Sequence, residues 1–506
     1  MAEAPSLRSP ANVLQIGERL VEAPSPELTR VAFATELQAQ LGLKEAIGLA
    51  DLAHVLCLAK SGLIPLADAR PLAAALLELS DAQASFAPSA ESGDLYTNRE
   101  AWLMQRTSAG GWFGMARARR EALTTAYHLS LCGELLSLAE ALTAFVEALA
   151  EVSTRHAESL APDYSYLQPA QPTTLGHYLQ AFAWPALRDL ERLEALYARA
   201  DCCPAGIGSL NGSPTAHVRQ ELSDRLGFRE PARHARDAMW QADLAIETAA
   251  LAVTITVNLD RLAEDLMIFA TNEFGFLKLA DRHARASKIQ PQKRNPFALS
   301  FVRAQANRLL GVQTQLAASA RTPSAQMDNR LFSYEAAPEA VRSAADAVRL
   351  MTECVVLMKF NENRASQALS DRSVCASDLA EALCVTTGTD YRHAQAIVGR
   401  LMRTLEDEGR SLAEATIEDV HKLLQDMSLP VEGVNGDLLH SALDPSSCVA
   451  ARYDIGGAAP REVKAMATEL TITARGSRRA CADLRAKREN ALQRLREEAE
   501  SFARGS

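Results

Sequence analysis

The sequence predicts an all-α protein built on a bundle of long helices, and three observations lead there. Ala and Leu abound, and both are strong helix formers, whereas aromatic residues make up only 5% of the chain. No stretch alternates apolar and polar residues over a useful strand length. Residues 236–272 read as a helix that is apolar on nearly every side, with Leu244, Ile246, Leu251, Val253, Ile255, Val257, Leu259 and Leu262 distributed around it. A helix of that kind must be buried all round. At about 30 residues it would span roughly 45 Å, and equivalents from other copies cover such a length most easily. A multi-helix core made by oligomerisation is therefore expected.

Taken in order, residues 1–27 carry four prolines and little pattern, and read as an extended arm. From Leu28 to Ser80 the pattern is helical: Leu49, Leu52, Leu56 and Ala59 repeat at three and four, Gly62 stops one helix, and Pro65 and Pro71 open the next. Residues 81–115 look looser. A long amphipathic helix is expected over 121–160, then a break at Pro162, Pro169 and Pro172, then a helix from Leu175 to Arg199. Pro204 to Pro214 is a loop with glycines at 206, 208 and 212; no strand precedes it, so a dinucleotide reading fails its own context. Residues 297–320 and 336–362 read as two more long helices. Beyond Asn363 the helices shorten, to 376–387, 390–405, 411–427 and 460–495, which reads as a separate, smaller C-terminal region. The Arg- and Glu-rich stretch from Arg478 to Arg504 reads as a solvated face.

Several function classes are excluded. A net charge of −10 argues against non-specific nucleic-acid binding. Nine cysteines lie without metal-ligand spacing, as expected of reduced, buried thiols in a cytoplasmic protein. Met1 to Asn12 lacks a basic region followed by an apolar core, so no secretory leader is read there. The most apolar helix is interrupted by Asp243, Glu247 and Asp260, so no membrane span is expected.

Three polar segments stand out, at 115–120, 164–174 and 286–296, each joining or opening a long helix. In the last, Ser287, Lys293 and Asn295 sit at spacings of six and two. Pro291 and Pro296 stiffen the group and push Gln290 and Asn295 towards extended backbone. Ala286-Ser287-Lys288-Ile289-Gln290-Pro291-Gln292-Lys293-Arg294-Asn295 resembles the Gly-Ser-Ser-x-Met-Pro-x-Lys-x-Asn signature of the aspartase/fumarase superfamily. Leu167-Gln168-Pro169-Ala170-Gln171-Pro172-Thr173-Thr174-Leu175-Gly176-His177-Tyr178 and Arg261-Leu262-Ala263-Glu264-Asp265-Leu266 are similar to argininosuccinate lyases, as are Gln367 to Ser370 and Ala376 to Ala380. The resemblance covers about residues 45–465, in the family's order throughout.

The resemblance implies a fumarase/aspartase-like all-α fold with three regions, set at 1–112, 113–364 and 365–506. It also implies a homotetramer around a 20-helix core, active sites shared between subunits, and no metal or organic cofactor. The implied chemistry is carbon–nitrogen lysis of a succinyl-type dicarboxylate, releasing fumarate. Ser287 carries over as the base, Lys293 as the charge partner of a substrate carboxylate and Asn295 as a donor to it. Arg117 and Arg119 fall on the family's carboxylate-binding Gly-Arg-Ser-Arg-Asn-Asp, here Ala116-Arg117-Ala118-Arg119-Arg120-Glu121. Ser165 and Tyr166 fall on the family's Thr-His, beside Gln168.

The departures have a direction. The carboxylate-binding cations are kept or gained, with Lys288 in place of the second serine. The groups around the leaving amine change: Tyr166 replaces histidine, and Trp240-Gln241-Ala242-Asp243 replaces Ser-Asp-Arg-Asp. A tyrosine with a reference pKa of about 10 is no direct substitute for a histidine of about 6.5. The expectation is an N-substituted aspartate specialised away from arginine biosynthesis. Two alternatives stay open: the same fold with changed chemistry (cyclisation, isomerisation or conjugate addition), or a non-catalytic structural homologue. Histidines 128, 177, 217, 234 and 283 are candidate replacement acids.

Overall fold

The computed structural model describes residues 23–82 and 85–505. Most of the arm expected for 1–27 lies outside them. The chain is all-α in character, as expected, and its principal helices are α1 (Lys44–Lys60), α2 (Leu66–Asp81), α3 (Leu95–Arg106), α4 (Arg119–Arg155), α5 (Leu175–Ala200), α6 (Asp243–Phe269), α7 (Phe297–Ser319) and α8 (Ser333–Leu357). Three shorter helices follow, α9 (Ala376–Thr387), α10 (Tyr391–Asp407) and α11 (Ile417–Asp426). The chain ends in α12 (Pro460–Arg504).

The long helices form one bundle. Helix α4 packs on α5, α8 and α12, and α6 packs on α5, α7 and α8. Side-chain pairs give the directions. Tyr127 stacks on Tyr334, and Arg342 meets Glu134, so α4 and α8 run parallel. Arg303 at the start of α7 meets Asp260 and Glu264 near the end of α6, so these two are antiparallel. Helix α4 is 37 residues long, about 55 Å. By length and composition it could cross a membrane, but most of its apolar surface is buried within the bundle.

The structure redraws several expected boundaries. Residues 81–115 are not loose throughout: Asp94 caps α3, accepting the backbone N–H and the hydroxyl of Thr97. The proline-rich break is an antiparallel hairpin of β1 (Leu160–Ser165) and β2 (Gln168–Thr174), a pairing for which the sequence offers no alternation. The apolar 236–272 helix is broken at Gln241–Ala242, leaving α6 to begin at Asp243. Only part of its surface is buried within the chain: Ile246, Ala250 and Val253 are half-covered and Val257 is exposed, forming a stripe along one side.

Among the described residues a main core, a second core and a small cluster of Ile207, Ala238 and Met239 are separate, and the first two divide the C-terminal part. Residues from Leu369 to Cys448 have a small core of their own. Helix α12 leaves it and returns to the main one, where Leu470, Cys481 and Leu495 are buried with α1, α2 and α4. The Arg- and Glu-rich stretch is therefore not solvated throughout: Arg488 is buried against Asp201 at 2.6 Å. Helices α1 and α2 share the main core with the bundle, without a break near residue 112.

Candidate active site

The serine loop is closed by a two-residue antiparallel pairing, Arg285 with Asn295 and Ala286 with Arg294. Asn295 Nδ2 donates to the Arg285 carbonyl at 3.0 Å, which locks the neck and leaves its second amide hydrogen for a ligand. Ser287 Oγ accepts the backbone N–H of Gln290 at 3.1 Å and of Ile289 at 3.4 Å. Donors to the oxygen favour its anionic form. Arg294 is spoken for, by Asp281 and by the Leu279 carbonyl at 3.2 Å. Lys288 and Lys293 are exposed and have no hydrogen-bonded or ionic partner among the described residues. The loop thus presents a hydroxyl held by two N–H groups and two uncompensated ammonium groups.

The hairpin presents Ser165, Tyr166 and Gln168 at its tip, all exposed. Ser165 pairs with Gln168, and Tyr166 and Leu167 form the turn with φ of 54° and 56°. Two consecutive left-handed residues define a type I′ turn, which normally selects Asn-Gly. Here the turn holds a tyrosine that is 99% exposed. Below it, Tyr164 lies among Phe269, Phe274 and Phe276, and Gln171 reaches Ser377. The base is fixed, and the tip projects away from its own chain.

The two arginines differ. Arg119 is half-exposed in a cleft with Glu36, Asp94, Arg120, Arg330 and Tyr334, and lies 3.5 Å from Asp94. Arg117, expected to bind substrate, is instead turned into the core. Its Nη2 lies 2.9 Å from Asp51, and its guanidinium rests over the rings of Phe113 and Tyr96. Asp51 also takes Arg99 at 2.7 Å. A guanidinium so engaged holds the segment before α4 in place.

These pieces do not meet within one chain. Arg120 lies 4.2 Å over Trp240, which places the Arg119 cleft at the end where α6 begins. The serine loop follows the other end of α6, 27 residues away, about 40 Å along the helix. The hairpin lies at that same far end. Ser287, Lys293 and Tyr166 thus stand at one end of the bundle and Arg119 at the other.

Trp240, Arg330 and Tyr334 escaped the sequence reading. The Trp240 ring lies between Arg120 and Arg330, the latter at 4.1 Å, and Arg330 donates to the Met239 carbonyl at 3.0 Å. Trp240 did stand in the altered Ser-Asp-Arg-Asp segment. Arg330 sits in a turn with no motif. Of the candidate histidines, four are engaged. His128 is buried on the Ala200 carbonyl, His177 bonds Thr173 and the Gly456 carbonyl, His283 is buried beside Glu353, and His234 caps a short helix. His217 is exposed, with no partner among the described residues.

A bundle of this connectivity, with a cationic serine loop at one end and an arginine cleft at the other, belongs to the all-α lyases of the aspartase/fumarase superfamily. Residues 89–311 match the family model described as lyase, and residues 373–450 the one for the argininosuccinate lyase C-terminal region. The chain is 31% identical over 476 residues to argininosuccinate lyase of Methanothrix thermoacetophila, covering 92% of this chain and 95% of that protein. It is 32% identical over 453 residues to that of Halorhodospira halophila, covering 89% and 95%. The crystal structure of EDDS lyase in complex with formate superposes with a TM-score of 0.85 at 25% identity, covering 96% of this chain and 97% of that one. The chain belongs to the argininosuccinate lyase family and is a carbon–nitrogen lyase.

Proposed function

We propose that this protein eliminates fumarate from an N-substituted aspartate or a related succinyl compound, and that its amine differs from arginine. The observation that carries the reading is Ser287, held by two backbone N–H groups in a loop whose two lysines, Lys288 and Lys293, have no partner among the described residues. A proton beside a carboxylate is weakly acidic, so its removal requires fixed positive groups where the dianion develops. Ser287 takes that proton. Lys293 and the free amide hydrogen of Asn295 face the carboxylate that gains charge, Lys288 adds to the local field, and Arg119 holds the second carboxylate. The C–N bond then breaks. Ser165, Tyr166 and Gln168 stand on the amine side, where the departures from the family concentrate.

The separation of Arg119 from Ser287 by the length of α6 supports a shared site. Copies arranged antiparallel in a homotetramer bring the loop end of one against the cleft end of another. The uncovered stripe on α6 supplies an apolar face for that assembly. The cytoplasm, where thiols stay reduced, suits the nine free cysteines.

The test is to incubate the protein with argininosuccinate and a panel of N-succinyl amines and follow fumarate absorbance. Several members should yield fumarate, argininosuccinate poorly. A panel that yields none, or a Ser287→Ala variant as fast as the parent, would overturn the reading. Product of unchanged mass would point to cyclisation or isomerisation instead.

A further inference from the structure

The glycine loop at 204–214, which the elimination chemistry does not use, is docked on the first turn of α4 beside Arg119. Glu121 makes the dock. Its side chain is buried, with Oε1 accepting the Gly206 N–H at 2.7 Å and Oε2 without a hydrogen-bond partner among the described residues. The Ala118 N–H, one residue before Arg119, donates to the Gly208 carbonyl at 3.3 Å. Two of its glycines hold a conformation that a side chain would strain. Gly206 has φ of +80°, and a Cβ there would stand 2.8 Å from Arg219 Cγ; a Cβ on Gly208, at φ of +67°, would stand 3.1 Å from the Gly212 carbonyl oxygen.

We propose that Glu121 is a positioning residue: by holding the glycine loop on the start of α4, it sets Arg119 for the substrate carboxylate. The inference rests on the reading of Arg119 as a carboxylate-binding group. Loop and arginine are tied through adjacent backbone, so what loosens the loop loosens the turn from which Arg119 projects.

The dock is also sensitive to protonation. Burial raises the Glu121 carboxyl to about 7, against the opposing pull of the Gly206 N–H, Arg117, the Gly208 N–H and Arg219. The groups that face it are Arg117 from the preceding segment, Arg219 from the short helix 219–225 and Cys203 from the strand at 202–203. Arg117 is fixed on Asp51, Arg219 donates to the Ala232 carbonyl, and the buried Cys203 thiol is pushed up to about 12 and stays neutral. Glu121 is thus the group here that changes charge near neutrality. A value raised by burial means that the docked loop holds the neutral carboxyl in preference to the ionised one, so protonation favours the dock and ionisation disfavours it. The docking equilibrium therefore falls roughly tenfold between about pH 6 and pH 8.

Hydrogen exchange at the Gly206–Gly208 amides tests the dock without substrate. Protection, corrected for intrinsic rates, should fall through pH 7 in the parent and stay flat in Glu121→Gln, whose amide still accepts but does not titrate. Fumarate binding by calorimetry should weaken by up to about tenfold between pH 6 and pH 8 in the parent. In Glu121→Gln it should stay flat near the low-pH value, with Glu121→Asp partly restoring the slope. Protection independent of pH in the parent overturns the proposal, whether or not the variants fold. So does a Glu121→Gln variant with the parent's pH dependence. If that happens while Ser287→Ala still abolishes fumarate release, this inference fails alone. If no succinyl compound yields fumarate, the functional reading fails instead.

Discussion

Arg117 Nη2 lies 2.9 Å from Asp51 Oδ1, with both side chains sealed from solvent and Arg99 on the other carboxylate oxygen. One carboxylate is shared by two buried guanidinium groups. Removing one partner from such a cluster leaves charge buried and unpaired, at a cost of about 3–5 kcal/mol. Asp51→Ala should therefore lower stability by that amount in urea unfolding. A loss below about 1 kcal/mol would show that water reaches the cluster.

Tyr166 occupies a turn position that Asn or Gly would hold more comfortably. The double change Tyr166→Asn, Leu167→Gly should preserve or slightly raise thermal stability while turnover falls. Tyr166→Phe, which keeps the ring, separates the hydroxyl from the surface. A rate loss of about tenfold or more would place the hydroxyl in the chemistry, and an unchanged rate would remove it.

The buried His128 imidazole is held at about 4 by desolvation, with Arg488 adding to the effect and the Ala200 carbonyl opposing it. Its unfolded value is about 6.5. Between these values the unfolded chain binds the extra proton, so the stability it contributes is complete above about pH 6.5 and lost as pH falls towards 4. Glu121 has the opposite sign: its folded value lies above its unfolded one, so its contribution is present at low pH and lost as pH rises through about 7. The two oppose each other in the parent curve. The difference between the parent and His128→Gln isolates the histidine, and should grow by about 3 kcal/mol from pH 4 to pH 7. A constant difference would mean that the ring is hydrated.

Val257 lies on the uncovered stripe of α6. The proposed tetramer, four chains of 54.7 kDa, should give about 219 kDa by light scattering. Val257→Glu should shift that mass down and abolish activity together. A monomeric parent with full activity would refute the shared site.

The long helices were legible because apolar spacing persists over many turns, and α4, α5, α7 and α8 begin and end close to where the pattern does. Helix α3 was missed because it is largely polar, and its start depends on one Asp94 cap. The hairpin was hidden by Pro162, Pro169 and Pro172, which forbid the usual strand pattern yet sit in a two-stranded pairing that leaves their missing N–H groups unused. In the site, the residues of the serine loop and the hairpin tip were legible as local motifs. The burial of Arg117 was not, since its partner Asp51 lies far back in the sequence and only tertiary packing joins them. Nor could local pattern place Arg119 and Ser287 at opposite ends of the bundle.

Helix α12 has a consequence for synthesis. It lies antiparallel along α4, with Arg478 on Glu147 and Arg485 on Glu140, pairs separated by 331 and 345 positions. On the ribosome, the groove on α4 stands open while the whole Leu369–Cys448 unit emerges and folds. Only the last 45-residue helix closes it. A nascent chain stalled before residue 460 therefore leaves the flank of α4 uncovered.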